Sequence, residues 1–443
     1  MLKTFPKGGV HPAEGKLSAN QPITTLPLPE TVSIPIAQHI GAPAKPTVKK
    51  GDQVKVGDVI AESGGFVSAN IHASVSGKVL KIDNVLDTSG YKKPCVIIQR
   101  EEDIWNEEIV RDETLKKEIT HSAKEIVGKV LKGGIVGLGG ATFPAHVKLS
   151  VPEGKKVDVL IINGVECEPY LTADHRVMLE KADEMLVGIK LLMKALGVER
   201  SIIGVENNKP DAIQHLQDKA ANYKGVEVQG LKVKYPQGGE KQLIKAVVDR
   251  EVPSGGLPLD VGAVVHNVGT ALAVYEAVQK DKPLIERVVT VTGQSVKQPA
   301  NFMVRIGTPV NQLVEAAGGL PEDTGKVING GPMMGKALNS LDVPVVKGTS
   351  GILIMPKEMA KRKNESTCIR CAKCVSICPM GLEPYLLIKQ TQREMYDGLE
   401  ANAVMDCIEC GSCSYTCPAG VPLLDYIRLG KGKVSQIMRS RKS

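Results

Sequence analysis

Hydrophobic and polar positions follow four rhythms along this chain. From Ile40 to Val79, β-branched residues come in short runs broken by Gly-Asp pairs: Gly51-Asp52-Gln53-Val54-Lys55-Val56-Gly57-Asp58-Val59-Ile60, then Ile71-His72-Ala73-Ser74-Val75-Ser76-Gly77-Lys78-Val79. Successive strand side chains point to opposite faces, so short alternating runs between turns predict an all-β unit. Further on, Val157-Asp158-Val159-Leu160-Ile161-Ile162 is a continuous apolar run, which predicts a strand buried on both faces. A helix from about Val177 to Leu196 and a second apolar strand, Ser201-Ile202-Ile203-Gly204-Val205, complete a β–α–β pattern and predict a parallel sheet. A third rhythm starts at Val288-Val289-Thr290-Val291-Thr292-Gly293, which alternates as a strand. Leu313 to Ala317 reads as a short helix stopped by Gly318-Gly319, and Val327-Ile328-Asn329 as a strand entering the loop Gly330 to Gly335. Met333 and Met334 in that loop read as packing residues. Last come Tyr385, Leu387, Ile388, Met395 and Leu399 at helical spacing, then a helix after Val421-Pro422.

These rhythms divide the 443 residues into an N-terminal β unit (1–110), an α/β unit (111–283), a smaller mixed unit (284–355), a helical unit (356–430) and a basic tail (431–443). No segment reaches the ~18 consecutive apolar residues of a membrane span. The stretch Met1 to His11 lacks the apolar core of a secretory signal. Aromatics make up 3% of the chain, too few for the stacking platforms of a single-strand nucleic-acid binder, so nucleic acid is not an expected partner. The net charge of +7 reads as a solvated surface able to favour an acidic partner. Lys431, Lys433, Arg439, Arg441 and Lys442 in the tail leave two readings, a solvated tail or a contact with anionic lipid or an acidic partner.

Cysteine changes the picture most. Eight of ten cysteines fall in two copies of one run, Cys368, Cys371, Cys374, Cys378, Pro379 and Cys407, Cys410, Cys413, Cys417, Pro418. Without an export signal, metal ligation is the better reading than disulfides. Each copy is C-x2-C-x2-C-x3-C-P, the run of two-cluster bacterial ferredoxins, whose fourth cysteine ligates the other cluster. The ligand sets expected are Cys368, Cys371, Cys374 and Cys417 for the first 4Fe–4S cluster, and Cys407, Cys410, Cys413 and Cys378 for the second. Paired zinc sites use a C-x2-C with a longer gap and fit the run less well. Cys95 and Cys167 read as buried structural thiols.

In the α/β unit, Gly133-Gly134-Ile135-Val136-Gly137-Leu138-Gly139-Gly140 is glycine-rich enough for backbone N–H groups to approach a phosphate, with Lys148 nearby. It is not a G-x-G-x-x-G fingerprint, and a plain turn is the competing reading. Asn163 to Pro169 follow the first buried strand, at the end where α/β folds place ligands.

Here the residues carry a resemblance. Gly137-Leu138-Gly139-Gly140-Ala141-Thr142-Phe143-Pro144 with Lys148 resembles the G-x-G-G-A-x-F-P-x-x-x-K flavin motif of the NADH-binding subunit of respiratory complex I. Tyr235-Pro236-Gln237-Gly238-Gly239-Glu240 and His266-Asn267-Val268-Gly269-Thr270 resemble that family's second and third segments, in order. Together with the cluster motifs and the opening Phe5-Pro6-Lys7-Gly8-Gly9-Val10-His11-Pro12 with Lys16, nearly the whole chain resembles the RnfC family, found in membrane-bound ferredoxin:NAD oxidoreductases (Rnf complexes) that couple electron transfer to Na⁺ or H⁺ transport. The resemblance implies a barrel-sandwich of lipoyl/biotinyl type for the first unit and a Rossmann-like flavin/NADH domain for the second. It further implies a β-grasp, SLBB-like third unit and a helical dicluster ferredoxin domain. The hairpin at Ser63 to Asn70 has no lysine to modify, so a structural or docking domain is expected rather than a swinging arm.

The resemblance also implies residue roles. Gly137, Gly139, Gly140, Phe143 and Lys148 would cradle FMN and its phosphate. Asn163 and Glu166 would hydrogen-bond the isoalloxazine or ribityl groups, Glu168 and Glu240 would face NAD(H), and Asn267 and Thr270, with Gly238, would close the pocket. Leu138 stands where the complex I protein has arginine, Gly239 replaces the first glutamate of its Gly-Glu-Glu, and Gly269 replaces the glutamate of its Asn-Val-Glu-Thr; these departures bear on phosphate contacts and cofactor affinity. The implied function is that of a peripheral subunit at the cytoplasmic face of the plasma membrane. It would pass electrons from ferredoxin, through membrane and ferredoxin-like partner subunits, to two clusters, FMN and NAD⁺. A flavin can exchange electrons singly and in pairs, which would make FMN the converter and the clusters the wire. Two alternatives are a soluble flavin–iron–sulfur reductase of the cobalamin-reductase kind and a flavin-free electron-transfer adaptor; the long N-terminal barrel counts against the first.

Overall fold

A computed structural model describes residues 1–441. The barrel-sandwich is built of an antiparallel four-stranded sheet in the order Thr31–Pro35, Lys92–Arg100, Gly77–Leu86, Gln53–Val54, and a three-stranded one, Lys45–Pro46, Val59–Glu62, Ile71–His72. Alternation puts Val32, Ile34, Ile60, Val79, Val96 and Ile98 inside. The Gly-Asp turns close on their own aspartates: Asp52 accepts from the Lys49 N–H at 2.9 Å and Asp58 from that of Lys55 at 2.7 Å. In the lysine-free hairpin the Phe66 carbonyl lies 3.0 Å from His146 Nε2, beside the glycine motif.

The first 26 residues do not belong to this barrel. Lys3 bridges to Leu231 and Val10 to Tyr235 in the α/β unit, and Ile23–Thr25 adds a parallel edge strand to the β-grasp sheet. Unpaired sheet edges recruit an extended chain, and this segment covers two of them. The β-grasp sheet runs Ile23–Thr25, Ala300–Arg305, Glu286–Thr292, Gly351–Pro356, Thr324–Asn329, Lys336–Ala337, with the helix Val310–Ala316 across it.

The α/β unit has four parallel strands in the order Val226–Leu231, Ser201–Glu206, Val159–Asn163, Ala263–Asn267. One face packs on the helices Ala182–Leu196 and Val268–Gln279, the other on Glu240–Val248. The single helix expected from Val177 is two, Ala173–Glu180 and Ala182–Leu196. Lys181 leaves helical geometry between them (φ −125°, ψ 28°).

The C-terminal unit is helical, as expected: Lys373–Ser376, Pro384–Gln392, Tyr396–Ala401, Ser412–Thr416 and Leu423–Ser440. Met395 falls between two of these helices and is exposed rather than part of an apolar stripe. The basic tail is not separate. Leu423, Ile427, Gly430 and Val434 continue one buried stripe, so the helix runs on through Lys431, Lys433 and Arg439. Lys431 bonds Glu409 at 3.1 Å and Arg441 bonds Glu400 at 2.8 Å, while Lys442 lies outside the described residues.

Candidate functional site

The parallel sheet reverses its winding between Val159–Asn163 and Ala263–Asn267, and such a switch point opens a crevice at the strands' carboxyl ends. Both strands end there in register, on Asn163 and Asn267. Asn267 caps the helix Val268–Gln279 by accepting from the Gly269 N–H at 2.8 Å, and its amide donates to Asp174 at 2.6 Å. Asn163 accepts from the Val165 N–H at 3.1 Å and donates to the Gly238 carbonyl at 2.9 Å, tying the first strand to the second motif.

The glycine segment arches over this crevice after the helix Ala123–Lys132. Val136 bridges to Pro144, and the Gly137 N–H donates to Phe143 at 2.9 Å. The buried Thr270 hydroxyl accepts from the Leu138 N–H at 3.0 Å and donates to the Val136 carbonyl at 3.4 Å, while Arg287 donates to the Leu138 carbonyl at 3.3 Å. A Cβ on Gly139 would stand 2.6 Å from the Asn267 amide nitrogen, so the arch can lie on Asn267 only without a side chain there. A Cβ on Gly140 would meet open space, and among the described residues the N–H groups of Gly139, Gly140 and Ala141 have no hydrogen-bond partner. Thr270→Val should leave two polar groups of the arch unpaired. We expect ~1–3 kcal/mol lost in thermal or urea unfolding, with weakened FMN retention read by flavin fluorescence.

Beneath the arch, Lys148 donates to Glu240 at 2.6 Å and to the Val265 carbonyl at 3.0 Å. His266, the residue before Asn267, is 2% exposed with neither ring nitrogen partnered. Burial, helped by the Lys148 charge, pushes its pKa down to about 3 and keeps it neutral. Free glycine amides, a cradle without side chains and an orphaned imidazole beside a lysine fit a bound flavin phosphate and its polar chain.

The three glutamates singled out from sequence part company. Glu240 opens the helix Glu240–Val248 and keeps its partner Lys148. Glu166 caps a helix, its two oxygens accepting from the N–H groups of Asp174 at 2.8 Å and His175 at 3.1 Å. Glu168 turns to the β-grasp loop instead of standing free to face a nucleotide; its oxygens accept from the Met333 and Met334 N–H groups at 3.1 and 2.7 Å. The cause is Lys16, whose ammonium donates to the carbonyls of Glu166, Glu168 and Leu171 at 2.8, 2.9 and 2.7 Å and winds the segment around itself. Sequence reasoning passed over Asp174, His266 and Arg287. Asp174, raised to about 7 by burial and then by the Glu166 charge, had no motif to mark it. His266 stood at the head of a quoted motif. Cys95 is buried and Cys167 half-buried, accepting from the Gly238 N–H at 3.4 Å; burial pushes both thiols up, Cys95 to about 11.

In the helical unit, both cysteine runs build the same loop. The residues flanking the second cysteine are left-handed in each copy: Arg370 and Ala372 (φ 56° each), Glu409 and Gly411 (57° and 77°). Cys378, Cys407, Cys410 and Cys413 line one pocket with Leu387 and Ile427, so the fourth cysteine of the first run sits among the first three of the second. Burial raises the Cys407 thiol to about 11 and that of Cys413 to about 12, so only a bound cation would hold them as thiolates. Four soft sulfur donors around an apolar pocket fit an iron–sulfur cluster. Cys368 and Cys371 are exposed, and Cys374 and Cys417 half-buried. The two centres therefore differ: one is enclosed against the α/β unit, where the Tyr235 hydroxyl donates to the Cys410 carbonyl at 2.8 Å, and the other is open.

Comparison with known proteins agrees unit by unit. Residues 3–103 match the RnfC barrel sandwich hybrid domain, 130–276 the Nuo51 FMN-binding domain, 288–337 the SLBB domain and 360–418 the 4Fe-4S dicluster domain. The chain is 50% identical to the corresponding subunit of a proton-translocating ferredoxin:NAD(+) oxidoreductase complex from Clostridium ljungdahlii, over 98% of this chain and 94% of that one. It is 49% identical to the same subunit of a Na(+)-translocating ferredoxin:NAD(+) oxidoreductase complex from Acetobacterium woodii, over 97% and 96%. The equivalent subunit of an ion-translocating oxidoreductase complex from Rhodobacter capsulatus is 42% identical over 98% of this chain and 84% of its own length.

Proposed function

Because the chain belongs to the RnfC family of ion-translocating ferredoxin:NAD(+) oxidoreductase complexes, we propose that it carries electrons between two 4Fe–4S clusters and NAD(H) by way of FMN, within a complex of Rnf-type subunits. The observation that supports this reading is the contact between the enclosed cysteine pocket and the α/β unit, where the Tyr235 hydroxyl donates to the Cys410 carbonyl at 2.8 Å. FMN, when bound, supplies the exchange between hydride and single electrons. The chain's own part is to bind, orient and insulate. Gly137, Gly139, Gly140 and Phe143 shape the cradle, and Thr270, Asn267 and Arg287 hold its backbone. Lys148 and the neutral His266 receive the phosphate and polar chain, and Asn163 with Gly238 joins the walls. Glu240, which shares Lys148 with the cradle, faces the nicotinamide nucleotide. Glu166 and Glu168 act through the turn they fix, the second as a strut under the nucleotide-facing wall.

The open centre with Cys368 and Cys371 is the side that meets the ferredoxin-like partner, since its thiols lie at the surface. No helix among the described residues is long and apolar enough to cross a membrane, so the ion path belongs to other subunits. The protein sits on the cytoplasmic face, where NAD(H) is.

The test is anaerobic cofactor analysis of the reconstituted protein followed by NADH titration. The expected result is iron and acid-labile sulfide for two clusters, one FMN released on denaturation, and rapid bleaching of the flavin by NADH. Clusters without flavin would reduce the chain to an adaptor. Flavin indifferent to NADH would remove Glu240 from the nucleotide site.

A further inference from the structure

We propose that the opening segment, Lys3 to Val10, is a strap that positions the enclosed cluster against the flavin-binding unit and so sets the electron path between them. This rests on the function proposed above.

The strap begins on the far edge of the parallel sheet. The Lys3 N–H donates to the Gly230 carbonyl at 3.2 Å, and the Lys232 N–H returns a bond to Lys3 at 2.9 Å. Phe5, 2% exposed, anchors it in the sheet's core beside Leu231 and Leu243. The Lys234 ammonium closes over Phe5, 4.2 Å from the ring centre and 3.0 Å from its carbonyl. The chain then crosses to the helical unit. The Gly9 N–H donates to the carbonyl of Ile377, the residue before ligand Cys378, at 2.8 Å. Gly8 is left-handed (φ +64°), and a Cβ on it would lie 2.5 Å from the Ile377 oxygen and 2.6 Å from the Cys378 carbonyl carbon. Only glycine permits both that conformation and that approach.

One residue on, the strap is back on the α/β unit. Val10 and Tyr235 exchange two backbone hydrogen bonds of 2.9 Å each, and the Tyr235 hydroxyl reaches the carbonyl of ligand Cys410 at 2.8 Å. Val10, Tyr235 and Cys410 form one buried cluster. Within eight residues the strap thus touches the sheet edge, the backbone of one cluster ligand and the tyrosine that holds another.

The covalent connection into the helical unit does not supply this order. Residues 361–372 are exposed throughout and have no regular structure. Direct contacts assist, with Gln242 donating to the Pro379 carbonyl at 3.4 Å and Gly411 lying against Met333. The strap adds to these a hydrogen bond onto the residue before Cys378 and, through Val10 packed with Tyr235, a contact on the Cys410 side. Electron transfer falls steeply with misplacement of the partners, so a device that fixes their separation acts on the rate without touching a cofactor.

The experiment uses the full reconstituted chain with Gly8→Val, which forces a β-branched side chain onto the Ile377–Cys378 backbone. Stopped flow with NADH reads flavin bleaching and cluster reduction separately, and amide hydrogen exchange is followed across residues 374–382. Iron, flavin and the bleaching rate should stay within about twofold of the unaltered chain, cluster reduction should slow by about tenfold or more, and exchange at 374–382 should quicken. Should Gly8→Val fail to take up iron, the same readings on Gly8→Ala decide. Unchanged exchange with an unchanged cluster step overturns the strap. An unaltered chain whose flavin ignores NADH overturns the proposed function instead, and exchange alone then judges the strap.

Discussion

Cys378→Ser is expected to remove the cluster formed by the second cysteine run while sparing the one formed by its own run. Iron and sulfide should fall by about half, and the remaining cluster should keep its magnetic signature. Cys378 is 9% exposed and shares its pocket with Cys407, Cys410 and Cys413, while Cys368 and Cys371 of its own run lie at the surface. A serine oxygen is a hard ligand and a poor substitute for thiolate on iron. The pocket is walled by Leu387 and Ile427, so the surviving three thiols would stand in apolar surroundings without their cation. Cluster assembly is coupled to the folding of such a unit, and thermal unfolding should begin in the helical domain. NADH should still bleach the flavin, because the switch-point site lies in another unit. Cys417→Ser should give the mirror result, losing the open cluster. If Cys378→Ser instead abolishes the centre held by Cys368, Cys371 and Cys374, the crossed ligand sets are wrong.

Glu168 should impose a pH dependence on stability. Burial raises its carboxyl to about 7, against the pull of the Met333 and Met334 N–H groups, the Lys16 charge and the Tyr235 hydroxyl, with the Cys167 thiol also facing it. The ordinary value for such a carboxyl is 4.5, so between the two values the folded chain binds a proton that the unfolded chain releases. Stability from this group is therefore intact below about pH 4.5, erodes as pH rises, and is lost above about 7. The limit is about 3 kcal/mol at ~1.4 kcal/mol per pKa unit, smaller where water reaches the loop. Glu168→Gln should abolish that slope, at a pH-independent cost from the donor it leaves facing the Met333 or Met334 N–H. The check is urea unfolding at pH 5 and 8 for both proteins, comparing the change in each. An identical change in both would remove Glu168 as the titrating group. Because its carboxylate joins the α/β unit to the β-grasp loop, the change should appear as weakened coupling between those units.

Much of this was legible in the sequence because it is local. The first three cysteines of each run specify a loop within seven residues, and the left-handed positions beside Cys371 and Cys410 repeat because the spacing repeats. The apolar runs at Val159 and Ile202 announced buried parallel strands. The helix from Val177 was misjudged because apolar periodicity continues across Lys181 while the backbone does not. The tail was misjudged for the opposite reason: its basic residues hid the stripe through Val434 that keeps it helical.

The roles of the glutamates were not legible, because a carboxylate's partner is set by what the fold brings to it. Glu166, Glu168 and Glu240 look alike in the chain, yet one caps a helix, one bonds the loop of a neighbouring domain and one pairs with Lys148. The strap was visible as a motif and opaque as a device, since nothing in Phe5 to His11 says that it will lie between a sheet edge and a cluster loop.

The sequence by itself determined the cofactor class, the two cysteine runs, the order of the four units and the glycine-rich turn, because spacing within a few residues and strand or helix periodicity are short-range properties of a polymer. Only the tertiary structure decided which cluster is enclosed, that Asn163 and Asn267 meet at a switch point, that Lys16 organises the acidic turn, and that Tyr235 reaches Cys410. Those contacts join positions far apart in the chain. They form only when burial of apolar faces has fixed the units against one another, and no local pattern records which distant groups will then be within 3 Å.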